Sequence, residues 1–112
     1  MASTKAYLDY VLEQLSGLEE ISYRAMMGEY ILYYRGKVFG GIYDDRLLIK
    51  PVPAAVRKMP DAPMERPYEG AKEMLLAEDV DNSGLLRALV ESMWEELPEV
   101  KRKKKPAAGK QS

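Results

Sequence analysis

The stretch that decides the fold is residues 29–50, EYILYYRGKVFGGIYDDRLLIK. β-branched and aromatic residues dominate its three short runs, and turn-favouring residues separate the runs at 35–36 and 44–45. Two-residue loops of this kind close β-hairpins, although Asp-Asp is a weaker signal than Asn-Gly. A further strand near residues 22–27 turns at Gly28. The pattern therefore predicts a meander of four antiparallel strands.

Two adjacent glycines, Gly40 and Gly41, interrupt the third run. A glycine inside a strand usually marks a bulge or the close approach of another group. A phosphate-binding P-loop has Lys after its second glycine, whereas Ile42 follows Gly41, and Val38 stands where a dinucleotide-binding loop has its second glycine. We therefore interpret both glycines as packing features of a sheet.

Counting outward from the two loops assigns the side chains to two faces, because side chains alternate along a strand. The first face is mostly aliphatic and is predicted to face the core; it consists of Ile31, Tyr33, Val38, Gly40, Ile42, Leu47 and Ile49. Gly40 is expected to let a helix approach, and Gly41 to leave room for the ring of Tyr30. The second face is the predicted interaction surface; it consists of Tyr30, Leu32, Tyr34, Lys37, Phe39, Tyr43, Arg46, Leu48 and Lys50.

Three interpretations of this second face stay open. Tyrosine and arginine are typical anchors of protein interfaces, so it can be a protein-binding surface, most simply that of a homodimer. It can equally be a half-covered sheet shielded by the proline-rich residues 51–70. Aromatic rings beside basic groups also suit the stacking of nucleic-acid bases, although the acidic body of the chain disfavours that partner.

Two amphipathic helices are predicted, over residues 4–16 and 82–97, from apolar side chains at helical spacing. Five prolines in residues 51–70 predict a long connection, in which a single helical turn at 54–59 is compatible with the sequence. Residues 72–78 are predicted to add a fifth strand. The expected fold class is α+β, an antiparallel sheet of four to five strands packed against an N-terminal and a C-terminal helix.

The chain has neither cysteine nor histidine, which excludes thiolate and imidazole chemistry. Carboxylates remain for metal binding or hydrolysis, but turn and cap roles are expected for them because aspartate favours turns. These carboxylates are Glu19, Glu20, Glu29, Asp44 and Asp45. We therefore expect a protein that is not an enzyme and that has no metal or cofactor.

Charge divides the chain into a body and a tail. Of 17 basic and 18 acidic residues, six basic and one acidic fall in residues 99–112, which leaves 11 basic and 17 acidic in residues 1–98. We predict one domain over 1–98 and a disordered basic tail over 99–112. The tail is either a solvated segment or a weak, salt-sensitive contact for nucleic acid. The residues of that candidate contact are Lys101, Arg102, Lys103, Lys104 and Lys105.

Neither a signal peptide nor a membrane span is predicted. The N-terminus lacks an apolar core of the kind that signal peptides have, and no apolar run approaches the roughly 20 residues that cross a bilayer. We expect a cytoplasmic protein without a membrane partner.

Three spaced segments resemble the N-terminal domain of the TfoX/Sxy family. An Arg-x-Met-x-Gly-x-Tyr segment is followed by Gly-Lys-x-Phe and then by Asp-x-Arg-Leu-x-x-Lys. The matching residues are Arg24, Met26, Gly28 and Tyr30, then Gly36, Lys37 and Phe39, then Asp44 or Asp45 with Arg46, Leu47 and Lys50. The resemblance extends over residues 5–97 and agrees in order throughout.

The resemblance implies an α+β domain similar to the secretion-chaperone-like arrangement, whose members often dimerise. It also implies a link to the regulation of natural competence, and it supplies no catalytic residues. The chain is expected to be a stand-alone domain of this type, because the segment after the second predicted helix is short and rich in lysine.

Overall fold

Three successive hairpins form most of the sheet. The computed structural model describes residues 3–78 and 80–98. The four strands of the meander are β1 Ile21–Met26, β2 Glu29–Tyr34, β3 Lys37–Tyr43 and β4 Arg46–Ile49. Each connection is a two-residue turn with positive φ at both positions, at residues 27–28, 35–36 and 44–45. This is the geometry whose twist suits a tight hairpin, and the predicted meander is confirmed.

Two shorter strands complete a six-stranded sheet with the order β1-β2-β3-β4-β6-β5. β6, Met74–Leu76, pairs antiparallel with β4 and confirms the strand predicted over 72–78. β5, Met64–Glu65, lies in the proline-rich segment and was not predicted. Its two residues are too few to give a periodic signal.

The helices begin where side-chain caps are available. α1, Lys5–Gln14, begins after Thr4, whose hydroxyl accepts a hydrogen bond from the Tyr7 backbone N–H. α3, Ser83–Met93, begins after Asn82, which accepts from the Leu85 N–H. A 3-10 turn over Trp94–Glu96 follows α3, and α2, Pro53–Lys58, forms the helical turn that the sequence permitted. No helix of the described ranges is long and apolar enough to cross a membrane.

One face of the sheet packs against all three helices. Leu8 of α1, Ala55 of α2 and Leu89 of α3 belong to the same buried cluster as Leu32 and Ile42 of the sheet. This arrangement confirms the α+β class, with a sheet layer and a helix layer.

A bulge in β3 changes the predicted register. Tyr34 pairs with Lys37 and Tyr33 with Val38, as expected, but Leu32 pairs with Gly40. Phe39 is therefore an extra residue without a partner on β2, which defines a β-bulge. Between β3 and β4 the predicted register is confirmed.

The bulge reverses the predicted faces of the β2 residues and of Val38. One extra residue in a strand exchanges the two sides to which the side chains alternate. Ile42, Leu47 and Ile49 face the helices as predicted. The prediction was wrong for a second group, which lies on the opposite side of the sheet: Ile31, Tyr33 and Val38.

The two glycines serve contacts other than the expected ones. A Cβ on Gly40 would collide with the backbone of β4, at the Leu48 carbonyl oxygen, so this glycine admits a neighbouring strand and not a helix. Over Gly41 a ring does lie, but it belongs to Tyr43, whose Cε2 is 2.6 Å from the position that a Cβ would take. Tyr30 contributes its carbonyl oxygen there, not its ring.

Candidate interaction surface

We call the side of the sheet opposite the helices the outer face. Its members follow from the cross-strand pairs, since residues directly opposite each other share a face. Tyr33 pairs with Val38, Gly41 pairs with both Ile31 and Leu48, and Tyr43 pairs with Arg46. The outer face includes Ser22 and Arg24 of β1, which pair with Tyr33 and Ile31, together with Ile31, Tyr33, Val38, Tyr43, Arg46 and Leu48.

The segment 65–68, which consists of the last residue of β5 and the loop after it, covers one end of the outer face. Arg46 holds this segment against β4 through an ion pair with Glu65, 2.6 Å between Nη1 and Oε1, and through a hydrogen bond to the Arg66 carbonyl oxygen. The Tyr68 ring lies 6.4 Å from that of Tyr43. Burial raises the pKa of the Tyr43 hydroxyl above its ordinary value, and Tyr68 and Glu29 add to the increase. Arg46 and Tyr43 are thus committed to contacts within the domain.

The other end of the outer face is open. Ile31, Tyr33 and Val38 are half-buried, and none of them belongs to the core cluster or to the side chains packed against it. In the described part of the chain, the buried residues of all three helices belong to the cluster on the opposite side. A contiguous apolar patch without a covering layer is typical of a contact surface.

Most of the residues predicted on the interaction surface lie elsewhere. Leu32, Tyr34 and Phe39 are buried among the helices, and Tyr30 packs against the edge of the same core. The placement of these four residues on a free surface was wrong, and the cause is the bulge at Phe39. Leu48 lies on the predicted side but is fully buried, whereas Lys50 is half-buried at the end of β4.

Lys37 also belongs to the helix side. Its Nζ lies 3.9 Å from the centre of the Trp94 ring and donates a hydrogen bond of 3.1 Å to the Trp94 carbonyl oxygen. A cation over an indole ring is attracted by the negative face of the ring. Lys37 therefore fastens β3 to the end of α3 and is not free to bind a partner.

Replacing Lys37 with methionine is expected to lower the free energy of unfolding by about 1–2 kcal/mol, because the cation–π contact and a charge-assisted hydrogen bond are lost. Urea denaturation followed by the fluorescence of Trp94, the sole tryptophan, measures the change. Lys37→Arg is the matched control, since it keeps the cation. Equal stability of the methionine variant and the wild type would show that this contact contributes nothing.

The carboxylates of the hairpin tips hold the start of α1. Ser3 donates to Glu29 Oε1 over 2.7 Å, and the same oxygen accepts from the Asp44 N–H. Asp45 Oδ1 accepts from the Thr4 N–H over 2.8 Å. The predicted turn role is confirmed for Asp44 and Asp45, which form the turn between β3 and β4, whereas the Glu29 carboxylate, on the first residue of β2, joins that turn to Ser3. Within the described ranges, no group of three or more acidic side chains could hold a metal ion.

Two features of this region were not predicted from the sequence. The contact between Lys37 and Trp94 joins residues 57 positions apart, and no local pattern reports such a pair. The bulge did leave a signal, because adjacent glycines in a strand indicate an irregular ladder. The basic residues predicted to contact nucleic acid, 101–105, lie outside the described residues.

The fold and this surface define a class of protein, a small two-layer α+β domain with an open sheet face. The family model of the TfoX N-terminal domain matches residues 13–97, and the chain belongs to this family. An uncharacterized 12.7 kDa protein encoded in the trpE 5′ region of Spirochaeta aurantia is 35% identical over 80 residues, which cover 71% of this chain and 70% of that protein. No solved structure matches the chain.

Proposed function

We propose that this domain is a non-enzymatic protein-interaction module that binds a protein partner, most simply a second copy, through the open end of its outer face. The observation that carries the proposal is the position of Ile31, Tyr33 and Val38, which lie on the side of the sheet opposite the helices. A role accessory to transcriptional regulation, including that of competence, is part of the proposal and rests on the family resemblance alone.

The chemistry of the described residues supports binding over catalysis. Without histidine or cysteine, acid–base chemistry depends on carboxylates, lysines and hydroxyls. Glu29 and Asp45 hold the start of α1, and Arg46 pairs with Glu65. These groups have structural partners, including Asp45 and Arg46, which line a cavity together with Tyr7 and Tyr10.

A protein partner fits the outer face better than nucleic acid does. A platform for bases needs exposed aromatic rings beside free cations. Tyr34 and Phe39 are buried in the core, and Lys37 is bound to Trp94. The open end presents two aliphatic side chains and one tyrosine, with Ser22 and Arg24 of β1 directly across from Tyr33 and Ile31. One ring beside one arginine suits a protein interface better than a platform on which several bases stack.

Replacing Val38 with glutamate is expected to raise the dissociation constant of self-association at least about tenfold, because a charge is placed in the centre of an apolar contact. Sedimentation velocity over a range of protein concentrations measures this constant. Val56→Glu is the matched control, since Val56 is exposed on α2. Circular dichroism is used to check that both variants remain folded.

A wild-type chain that remains monomeric at the highest concentration would contradict self-association through this face. Equal weakening by Val38→Glu and Val56→Glu would also contradict it, because the effect would then come from net charge. Tyr33→Ser, which removes an apolar ring without adding charge, is expected to weaken association in the same direction as Val38→Glu.

A further inference from the structure

The free edge of the sheet at β1 is an unprotected pairing edge. In the described part of the chain, β1 pairs with β2 on one side and with no strand on the other. It is six residues long, and five of these residues are exposed. An edge of this length presents a row of unpaired backbone groups that can template another strand.

The backbone groups that point outward can be assigned. The Glu20 carbonyl oxygen accepts from the Arg35 N–H over 3.0 Å, which makes residues 20 and 35 a hydrogen-bonded pair. Such pairs alternate along an antiparallel ladder, so Ser22 and Arg24 also bond to β2. Ile21, Tyr23 and Ala25 consequently direct their N–H and C=O groups away from the sheet.

The other edge strand of the sheet, β5, is protected against pairing with another chain. β5 has only two residues, and Pro63 and Pro67 flank it closely. Glu65 of β5 is held by its ion pair with Arg46. Short edge strands and prolines are the devices by which natural sheets prevent pairing. β1 contains neither a proline nor a lysine.

Exposed apolar side chains cluster at the β1 edge and its turn. Tyr23 is 43% exposed, Met26 47% and Met27 96%. Among the described residues these are three of the seven large apolar side chains with this degree of exposure. Tyr23 lies beside the outward-pointing backbone groups, and Met26 and Met27 continue the exposed apolar surface to the turn.

We propose that β1 pairs antiparallel with β1 of a second copy, about a twofold axis through Ser22. In this register Ile21 hydrogen-bonds to Tyr23 of the second copy, and Arg24 lies across from Glu20 of the second copy, twice by symmetry. Glu20 precedes β1 and has a φ of 63°, so the two charged side chains meet beside the end of the ladder and not within it. Arg24 and Glu20 are exposed, and neither forms an ion pair within the described ranges.

The charged side chains of Glu20 and Arg24 favour this register over those with the axis at Tyr23 or Arg24. A twofold axis through Arg24 would place the two arginines against each other, which is unfavourable for directly opposed residues. An axis through Tyr23 would pair Arg24 with Ser22 and leave both charges without partners. The axis through Ser22 is the arrangement among these three that joins opposite charges.

The inference rests on the proposed class of function, protein interaction, but it uses the free edge of β1 and not the open end of the outer face, which Arg24 borders through its pairing with Ile31. Edge pairing would join two sheets into one and would bring the two outer faces side by side. The edge therefore has to be tested with the outer face disabled, and Val38→Glu provides that background.

The test is sedimentation velocity on variants of the full chain that carry Val38→Glu. Arg24→Glu and Glu20→Arg are each expected to raise the dissociation constant of the remaining dimer several-fold, since each places like charges opposite one another. The double exchange, Arg24→Glu with Glu20→Arg, is expected to restore the constant of the background. Tyr23→Pro, which removes an outward N–H, is expected to abolish dimerisation, with circular dichroism as the check on folding.

A background variant that is monomeric throughout would overturn edge pairing and leave the outer-face proposal intact. Single charge reversals without effect, or a double exchange that fails to restore association, would overturn the proposed register and with it the inference. Conversely, a Val38→Glu variant that associates as well as the wild type while Tyr23→Pro dissociates would support the edge and contradict self-association through the outer face.

Discussion

Replacing Phe39 with alanine is expected to lower the free energy of unfolding by about 3–5 kcal/mol, because a large aromatic side chain is removed from the core. Phe39 is the extra residue of the β3 bulge, and it is fully buried. Its ring belongs to the same core cluster as side chains of all three helices. Alanine would lose the transfer energy of the ring and leave a cavity between the two layers, and such a loss is a large fraction of the stability of a typical domain.

Urea denaturation followed by far-ultraviolet circular dichroism measures this change. Val38→Ala is the matched control, because Val38 precedes Phe39 on the same strand and is half-buried on the outer face. We expect the control to cost about 1 kcal/mol or less, since fewer contacts are lost. Similar costs at the two positions would show that the bulge does not direct Phe39 into the core, and would restore the register without a bulge.

Replacing Gly40 with alanine is expected to cost about 3 kcal/mol or more, because the added methyl group overpacks the centre of the sheet. A Cβ at this position would overlap the carbonyl oxygen of Leu48 and would lie 3.2 Å from the Cα of Ile49. These are backbone atoms of the paired strand β4, so no side chain can rotate away to make room. Relief requires β3 and β4 to separate, which weakens the ladder between them.

Gly84→Ala is the matched control for Gly40→Ala. Gly84 lies in the first turn of α3, and the heavy atom nearest to the position that a Cβ would take is Asn82 Oδ1, at 3.9 Å. Alanine has the higher helix propensity, so this variant is expected to match the wild type or to exceed it by up to about 1 kcal/mol. Urea denaturation measures the free energy of unfolding of both variants and of the wild type. A Gly40→Ala variant as stable as the control would mean that β3 and β4 can separate at no cost.

Local features of the fold were predictable from short windows of sequence. The hairpin turns at residues 35–36 and 44–45 have the predicted length, because residues tolerant of positive φ stand between strand-forming runs. Thr4 and Asn82 cap the two long helices through their own side chains. Each of these features depends on residues within a few positions of one another.

The interaction surface was predicted only in part. Tyr43 and Arg46 lie on the outer face as expected, because the register between β3 and β4 follows directly from their two-residue turn. Tyr34 and Phe39 were placed on the wrong side, since alternation was extended through Gly40 without an interruption. The error propagates along β2 because that strand takes its register from β3.

The amino-acid sequence by itself determined the order of five of the six strands, the three hairpin turns and the approximate positions of the two long helices, and which family the chain belongs to. Those properties come from local backbone preferences and from the order of short motifs. Only the tertiary structure decided which side chains of β2 and β3 are buried and which are free. One residue without a partner on β2, Phe39, inverts the alternation. The adjacent glycines indicate an irregular ladder, but which side Phe39 faces depends on the core that it shares with α1, α2 and α3.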